Sequence, residues 1–274
     1  QTLGADPASG TALGHEAPPE HLLTGGQDVS AAEVLAPFRS RLRLPLVAAP
    51  MFLVSGVELV AAACRTGVVG SFPTVNCRTP EELDSWLEQL QQRLDTHAQT
   101  TGAQTAPVAP NLIVHPSNAR LAADLEVLLR HRPELVITSV GSPAPVLGPL
   151  HDVGSLVLAD VASIRHAERA VAAGADGLIL LTAGAGGQTG WLNPFAFVRA
   201  VRSFYDGPVV LAGGISDGWA LHAAIALGCD LAYMGTRFIA TRESLAGTAY
   251  REMLVGSTAD DVLLTPAFTG LPSS

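Results

Sequence analysis

Ala173-Gly174-Ala175-Asp176-Gly177-Leu178-Ile179-Leu180-Leu181-Thr182-Ala183-Gly184-Ala185-Gly186-Gly187-Gln188-Thr189-Gly190 holds a helix end, a short buried strand and a glycine-rich turn in succession. Gly174 suits the left-handed residue that closes a helix. Gly177–Leu181 is apolar, of strand length, and shows no polar alternation, the pattern of a strand covered on both faces. The turn that follows is too rich in glycine for a helix, and Asn193-Pro194 then supplies a cap and a first-position proline for the next helix.

This unit repeats along the chain. Apolar runs at Leu44–Met51, Val68–Pro73, Val108–Val114, Leu135–Val140, Leu156–Val161, Gly177–Leu181, Pro208–Ala212 and Leu231–Gly235 alternate with helix-like segments. Thr79-Pro80-Glu81-Glu82 is a cap, a first-position proline and first-turn acids; Asn118, Ser163, Asn193 and Ser216-Asp217 hold comparable positions. Gly67, Gly174 and Gly228 follow other helices as stop signals. Eight such strands, each followed by a helix, predict an α/β fold: a closed parallel (β/α)8 TIM barrel rather than an open doubly wound sheet. About 35 residues follow the eighth run, with Pro266 and Pro272 among them, so the closing helix is expected to be short or missing.

With 274 residues, 48% of them hydrophobic and 15% charged, the chain can bury one large core. Residues 1–28 lack an amphipathic period and are expected to form a flexible or surface-laid extension, leaving 29–274 as the barrel domain. No apolar stretch reaches the about 18 residues of a membrane span, and no signal-peptide pattern opens the sequence, so a cytoplasmic location is expected. The net charge of −9 is scattered, without the basic patches that track nucleic acid. Cys64, Cys77 and Cys229 fit neither a disulfide framework nor a metal pair, and the eight histidines form no HExxH motif, so reduced thiols and no metal site are expected. An exposed flank is compatible with a homodimer, although no helix face is singled out for it.

In a (β/α)8 barrel the chemistry sits at the C-terminal strand ends. Three glycine turns fall there in order: Ala185-Gly186-Gly187-Gln188 after strand six, Ala212-Gly213-Gly214-Ile215 after strand seven and Met234-Gly235-Thr236-Arg237 after strand eight. Glycine lets backbone N–H groups approach an anion closely. Any one such turn would ordinarily be structural, but three in register point to one phosphate site.

These turns, together with Leu44-Pro45-Leu46-Val47-Ala48-Ala49-Pro50-Met51, resemble the nitronate monooxygenase family, formerly called 2-nitropropane dioxygenases, which includes related enoyl and quinone reductases. The resemblance runs from about Leu44 to about Thr265 and implies an FMN-binding barrel. Under it, Pro50 and Met51 lie against the flavin ring, Asn111 is a polar flavin contact, and Gly187, Gly213, Gly214, Gly235 and Thr236 cradle the FMN phosphate. Before the resemblance enters, Asn111 after Pro110 reads equally well as a capped strand end.

Gln188 departs from the family pattern, where many members have histidine as a base on neutral nitroalkanes. An amide donates and accepts hydrogen bonds but takes no proton near neutral pH. The resemblance then implies oxidation of preformed nitronates by molecular oxygen, with Gln188 orienting the small-molecule substrate. His115, near the barrel mouth, is the candidate for acid–base chemistry, with a surface-loop histidine as the plain alternative. Asp160 is an outside candidate that could line the mouth or hold Arg165; Asp176 reads as structural, and Arg237 as a packing or salt-bridge residue. Two other enzyme readings remain open: reduction of an enoyl thioester or quinone by NAD(P)H on the same flavin barrel, and a flavin-free sugar-phosphate or nucleotide barrel. A flavin-binding barrel without turnover is the reading from another class.

Overall fold

Strand formation follows the apolar runs closely. The computed structural model describes residues 30–267 and Ser273; the expected extension at 1–28 lies outside the described residues. The strands are β1 Leu46–Ala48, β2 Val69–Pro73, β3 Val108–Ile113, β4 Leu135–Ser139, β5 Leu156–Val161, β6 Gly177–Leu181, β7 Val209–Ala212 and β8 Leu231–Met234. All pairings are parallel, and β8 returns to β1 through Val47 opposite Tyr233, closing the barrel. β1 is shorter than its apolar run because Pro50 has no N–H to donate to the ladder.

The helices between strands are α2 Val57–Arg65, α3 Pro80–Thr101, α4 Leu121–His131, α5 Ala144–Asp152, α6 Ile164–Ala173, α7 Pro194–Val201 and α8 Gly218–Leu227. Side chains of Thr79, Ser163, Asn193 and Asp217 accept from backbone N–H groups at the starts of α3, α6, α7 and α8. Asn118 does not cap α4. Asn118 stands two residues before the helix-flanking Arg120, from whose N–H its Oδ1 accepts at 3.0 Å, while its Nδ2 donates to Ile113 O. Gly174 and Gly228 close α6 and α8 in left-handed conformations. Among the described residues, β8 is followed by α9, Thr236–Ile239, α10, Thr248–Gly256, and a single 3-10 turn at Ala259–Asp261, in keeping with a short closing helix.

Before the first strand, α1 (Ala31–Arg39) starts at Ser30 with a reciprocal Ser30–Glu33 capping box. It buries Leu35 and Phe38 among Val47, Val69, Leu135 and Leu158, which line the barrel interior. Arg39 donates to Asp230 O, and Arg41 pairs with Glu134, both of which precede strands, so α1 closes the N-terminal end of the barrel. At that same end Asp176 accepts from Val157 N and contacts His151, while Asp230 accepts from Val209 N and contacts Arg202. Both aspartates are structural.

The cysteines are free and buried, and burial pushes all three thiols up to about 12. They are poor nucleophiles. No group of His, Cys, Asp and Glu among the described residues has metal-binding geometry, and no helix among them is long and apolar enough to cross a membrane.

Candidate active site

The turns after β6, β7 and β8 converge at the C-terminal end of the barrel. Gly214 N–H donates to Gly184 O at 3.2 Å, tying the second turn to the first. A Cβ on Gly186 would lie 3.4 Å from Thr236 Oγ1, placing the first turn beside the third. Gly187 and Gly214 have φ of +69°, and Gly213 has φ of +130°. Gly213 also needs the space, since a Cβ there would be 2.4 Å from Thr182 Oγ1.

These turns leave donors available. The backbone hydrogen bonds among the described residues use neither Gly186 N–H nor Gly187 N–H, and Thr236 opens α9, where an N–H has no intrahelical partner. By contrast, Asp217 accepts from Ala220 N–H at the start of α8, so that helix end is already served by an acid. The N–H groups left out of backbone hydrogen bonds lie in the glycine turns and at the start of a short helix, where other barrels commonly hold a phosphate.

The loop after β1 adjoins the turn after β8, since β1 and β8 are paired. Asn76 locks it by donating to Met51 O at 3.0 Å and Ser55 O at 2.9 Å, while its Oδ1 accepts from Leu53 N–H at 2.9 Å. Leu53 is thereby held at φ +57°, a conformation rare for a side-chained residue. Met51 N–H donates to Ser55 Oγ, so the backbone polar groups of Met51 are satisfied within the loop. What Pro50 and Met51 offer a flat ligand is therefore surface. The Met51 sulfur lies 3.6 Å from where a Gly235 Cβ would be, bringing the β1 and β8 loops together. Asn76 carried no sequence signal, because its partners lie 21 to 25 residues away.

Towards this end the barrel interior changes character. Leu135, Ile137, Leu158 and Ile179 fill its lower tiers. On the same inward faces, two residues further along their strands, stand Asn111 above Ala109, Ser139 above Ile137, Asp160 above Leu158 and Tyr233 above Leu231. Asn111 is buried, donating from Nδ2 to Ser139 Oγ at 3.0 Å and accepting from it at 3.3 Å. These bonds tie β3 to β4 on the inward side of the barrel. Asp160 Oδ1 and Tyr233 Oη are buried without hydrogen-bond partners. Burial alone pushes the Asp160 carboxyl up to about 7, and burial together with the charge of Asp160 raises the Tyr233 phenol. Of the two roles open to Asp160, the inward face of β5 suits the mouth; among the described residues it makes no ion pair with Arg165, which lies in the first turn of α6.

Gln188 is half-buried in the first glycine turn and pairs in antiparallel fashion with Ser273, which also exchanges backbone bonds with Thr265. The chain's last described residue therefore rests against this turn. His115 sits on the exposed loop after β3, where its Nδ1 accepts from Ser117 N–H at 3.2 Å and lies 2.7 Å from Ser117 Oγ. That contact places the ring proton on Nε2, so the neutral imidazole can act beyond its loop only as a donor. Arg237 is exposed on the four-residue helix Thr236–Ile239 and, among the described residues, makes no salt bridge, so neither the packing nor the salt-bridge role expected of it is seen.

The nitronate monooxygenase family profile matches residues 39–273. The chain belongs to the nitronate monooxygenase family. A nitronate monooxygenase of Paraburkholderia phytofirmans is 29% identical over 267 residues, covering 82% of this chain and 71% of that protein. FabK from Thermotoga maritima superimposes with a TM-score of 0.77 at 28% identity, over 89% of this chain and 72% of that one. Nitroalkane oxidase from Streptomyces ansochromogenes superimposes with a TM-score of 0.75 at 28% identity, over 88% and 78%. Membership makes this chain an oxidoreductase of a flavin-dependent nitronate monooxygenase family whose members act on small molecules with oxygen.

Proposed function

We propose that this nitronate monooxygenase family member binds FMN at the barrel mouth and oxidises alkyl nitronates with molecular oxygen, giving carbonyl compounds and nitrite. The observation that carries this reading is the convergence of three glycine turns, with available N–H donors, beside a barrel mouth whose upper tier holds unpartnered polar atoms. Those residues fit the group: the N–H groups of Gly186, Gly187 and Thr236 suit a phosphate, and Gly213 and Gly214 allow its close approach. Met51 and Gly235 offer a surface for the ring, and Asn111 offers an amide beneath it. When bound, FMN supplies the electron-transfer chemistry that no side chain in this site provides.

The chain's own residues bind and orient. Gln188 directs an amide N–H at the anionic nitro oxygens and takes no proton, which suits a substrate that arrives already deprotonated. The exposed side chains of Phe52, Leu53 and Trp191, on the loops after β1 and β6, form an apolar rim suited to a small alkyl substrate. His115 serves as a hydrogen-bond donor through Nε2. His115→Ala is expected to lower turnover several-fold while leaving the FMN dissociation constant unchanged; a flavin titration beside steady-state kinetics checks both. Gln188→His is expected to extend activity to neutral nitroalkanes at a pH below their ionisation, measured as nitrite release. No gain there would show that residue 188 does not face the reacting carbon.

The likeness to FabK favours one second reading, reduction of an enoyl thioester or quinone with NAD(P)H on the same barrel. Oxygen uptake and nitrite release with a preformed alkyl nitronate, compared with NADH and NADPH oxidation in the presence of an enoyl thioester or a quinone, separates the two. The monooxygenase reading expects the first pair of signals without nicotinamide. Turnover only with nicotinamide would replace it by the reductase reading, and no turnover with either would leave a flavin-binding barrel.

A further inference from the structure

Asp160 and Tyr233 present two buried polar atoms without partners on inward faces of the same barrel, one on β5 and one on β8. A protein interior leaves such atoms unpaired rarely, and each costs free energy unless something arrives to bond it. Their neighbours do not supply that partner. Asn111 and Ser139 bond to each other, and Ile179, opposite Asp160 on β6, and Leu158, two residues before it on β5, are apolar. No salt bridge among the described residues involves Asp160, and the titratable group that faces it from another element is the Tyr233 phenol. The pair lies near the C-terminal ends of β5 and β8, the end of the barrel that carries the glycine turns and where the proposed FMN ring must go.

We propose that Asp160 and Tyr233 are a donor pair for the acceptor atoms of the FMN ring, with Asp160 acting as a carboxylic acid, so that flavin binding takes up a proton. This rests on the FMN part of the proposed function and not on the choice of nitronate as substrate. A flat ring laid over Asp160 removes what water remains to it. With no cation nearby, a carboxylate would lose its solvation without compensation, whereas the acid keeps one O–H to donate to a ring oxygen or nitrogen. The carboxyl, already raised to about 7, rises further on binding, and protons move from solvent to Asp160. No electron transfer is involved in this step.

The test is FMN binding to the apoprotein between pH 7 and 9, by fluorescence titration and by calorimetry in buffers of different ionisation enthalpy. The wild type should take up a fraction of a proton that grows above pH 7, with affinity falling by up to about tenfold per pH unit over the coupled range. Asp160→Asn keeps a donor and should bind FMN while losing that uptake and pH dependence; subtracting it removes the contribution of the FMN phosphate. Asp160→Leu, checked for folding by circular dichroism, should bind at least tenfold more weakly than Asp160→Asn. Tyr233→Phe should weaken binding while retaining proton uptake. Equal pH dependence in wild type and Asp160→Asn, affinity that rises with pH, or an apoprotein that takes up no FMN would overturn the proposal. Proton-coupled FMN binding by a protein that leaves nitronates unoxidised would uphold it and refute the nitronate reading.

Discussion

Gly190→Ala is expected to abolish FMN binding and to lower the unfolding free energy by about 3 kcal/mol or more, the upper range for overpacking a site that cannot relax. A Cβ at this position would stand 1.8 Å from Leu181 O and 2.9 Å from Leu181 C, with Ala162 O at 3.4 Å. All three are backbone atoms, and Leu181 is fixed by its place in β6 opposite Ala212. The end of the turn must therefore move. Thr189 Oγ1 donates to Thr182 O at 2.9 Å, a bond that closes the loop on itself, and displacement of Gly190 breaks it and carries Gly187 and Gln188 away from the anion site. Gly214→Ala is the matched comparison, since a Cβ there meets nothing within 4 Å and only its φ of +69° is strained. That variant should lose about 1–2 kcal/mol. Urea denaturation with flavin titration on both proteins checks the contrast, and equal losses would show that strain, not space, governs these turns.

Asp160→Asn is expected to stabilise the flavin-free protein at pH 8 by on the order of 2–4 kcal/mol. The sign follows from proton counting. A carboxyl that titrates near 4 in the unfolded chain and near 7 when folded binds more protons in the native state between those values. Its contribution is therefore favourable at low pH and is lost as the pH rises from about 4 through 7. Asparagine cannot ionise, so the gap between variant and wild type should be near zero at pH 4, grow through that window and level off above it. Denaturant melts at pH 4, 6 and 8 give the curve. A gap that is constant with pH would mean that Asp160 is solvated and ordinary.

The barrel was legible because its strands are covered on both faces and read as plain apolar runs between helix caps. The same property hid the site. In Leu156-Val157-Leu158-Ala159-Asp160-Val161 neither face is polar enough to reveal which residues point inward, so the sequence could place Asp160 near the mouth but not aim it. Tyr233 carried no signal for the same reason, although Leu231 and Tyr233 share an inward face in the fold. The glycine turns were legible from composition, since left-handed backbone and close approach both demand glycine. Their convergence followed from reading the eight runs as a closed barrel, which sets the ends of strands six, seven and eight side by side. His115 was placed correctly after β3, but the Ser117 bonds that fix its tautomer are local side-chain chemistry that competes with any catalytic aim. The pairing of Gln188 with Ser273 joins residues distant in sequence with no turn signal between them.

The central claim is that electrons pass from a nitronate to FMN held in this barrel and then to oxygen. Anaerobic mixing of the FMN-loaded protein with a preformed alkyl nitronate, followed by absorbance, tests it most directly. Rapid bleaching of the flavin without nicotinamide, reversed when oxygen is admitted, is the predicted result; a flavin that stays oxidised with nitronate yet bleaches with NADH or NADPH would contradict it.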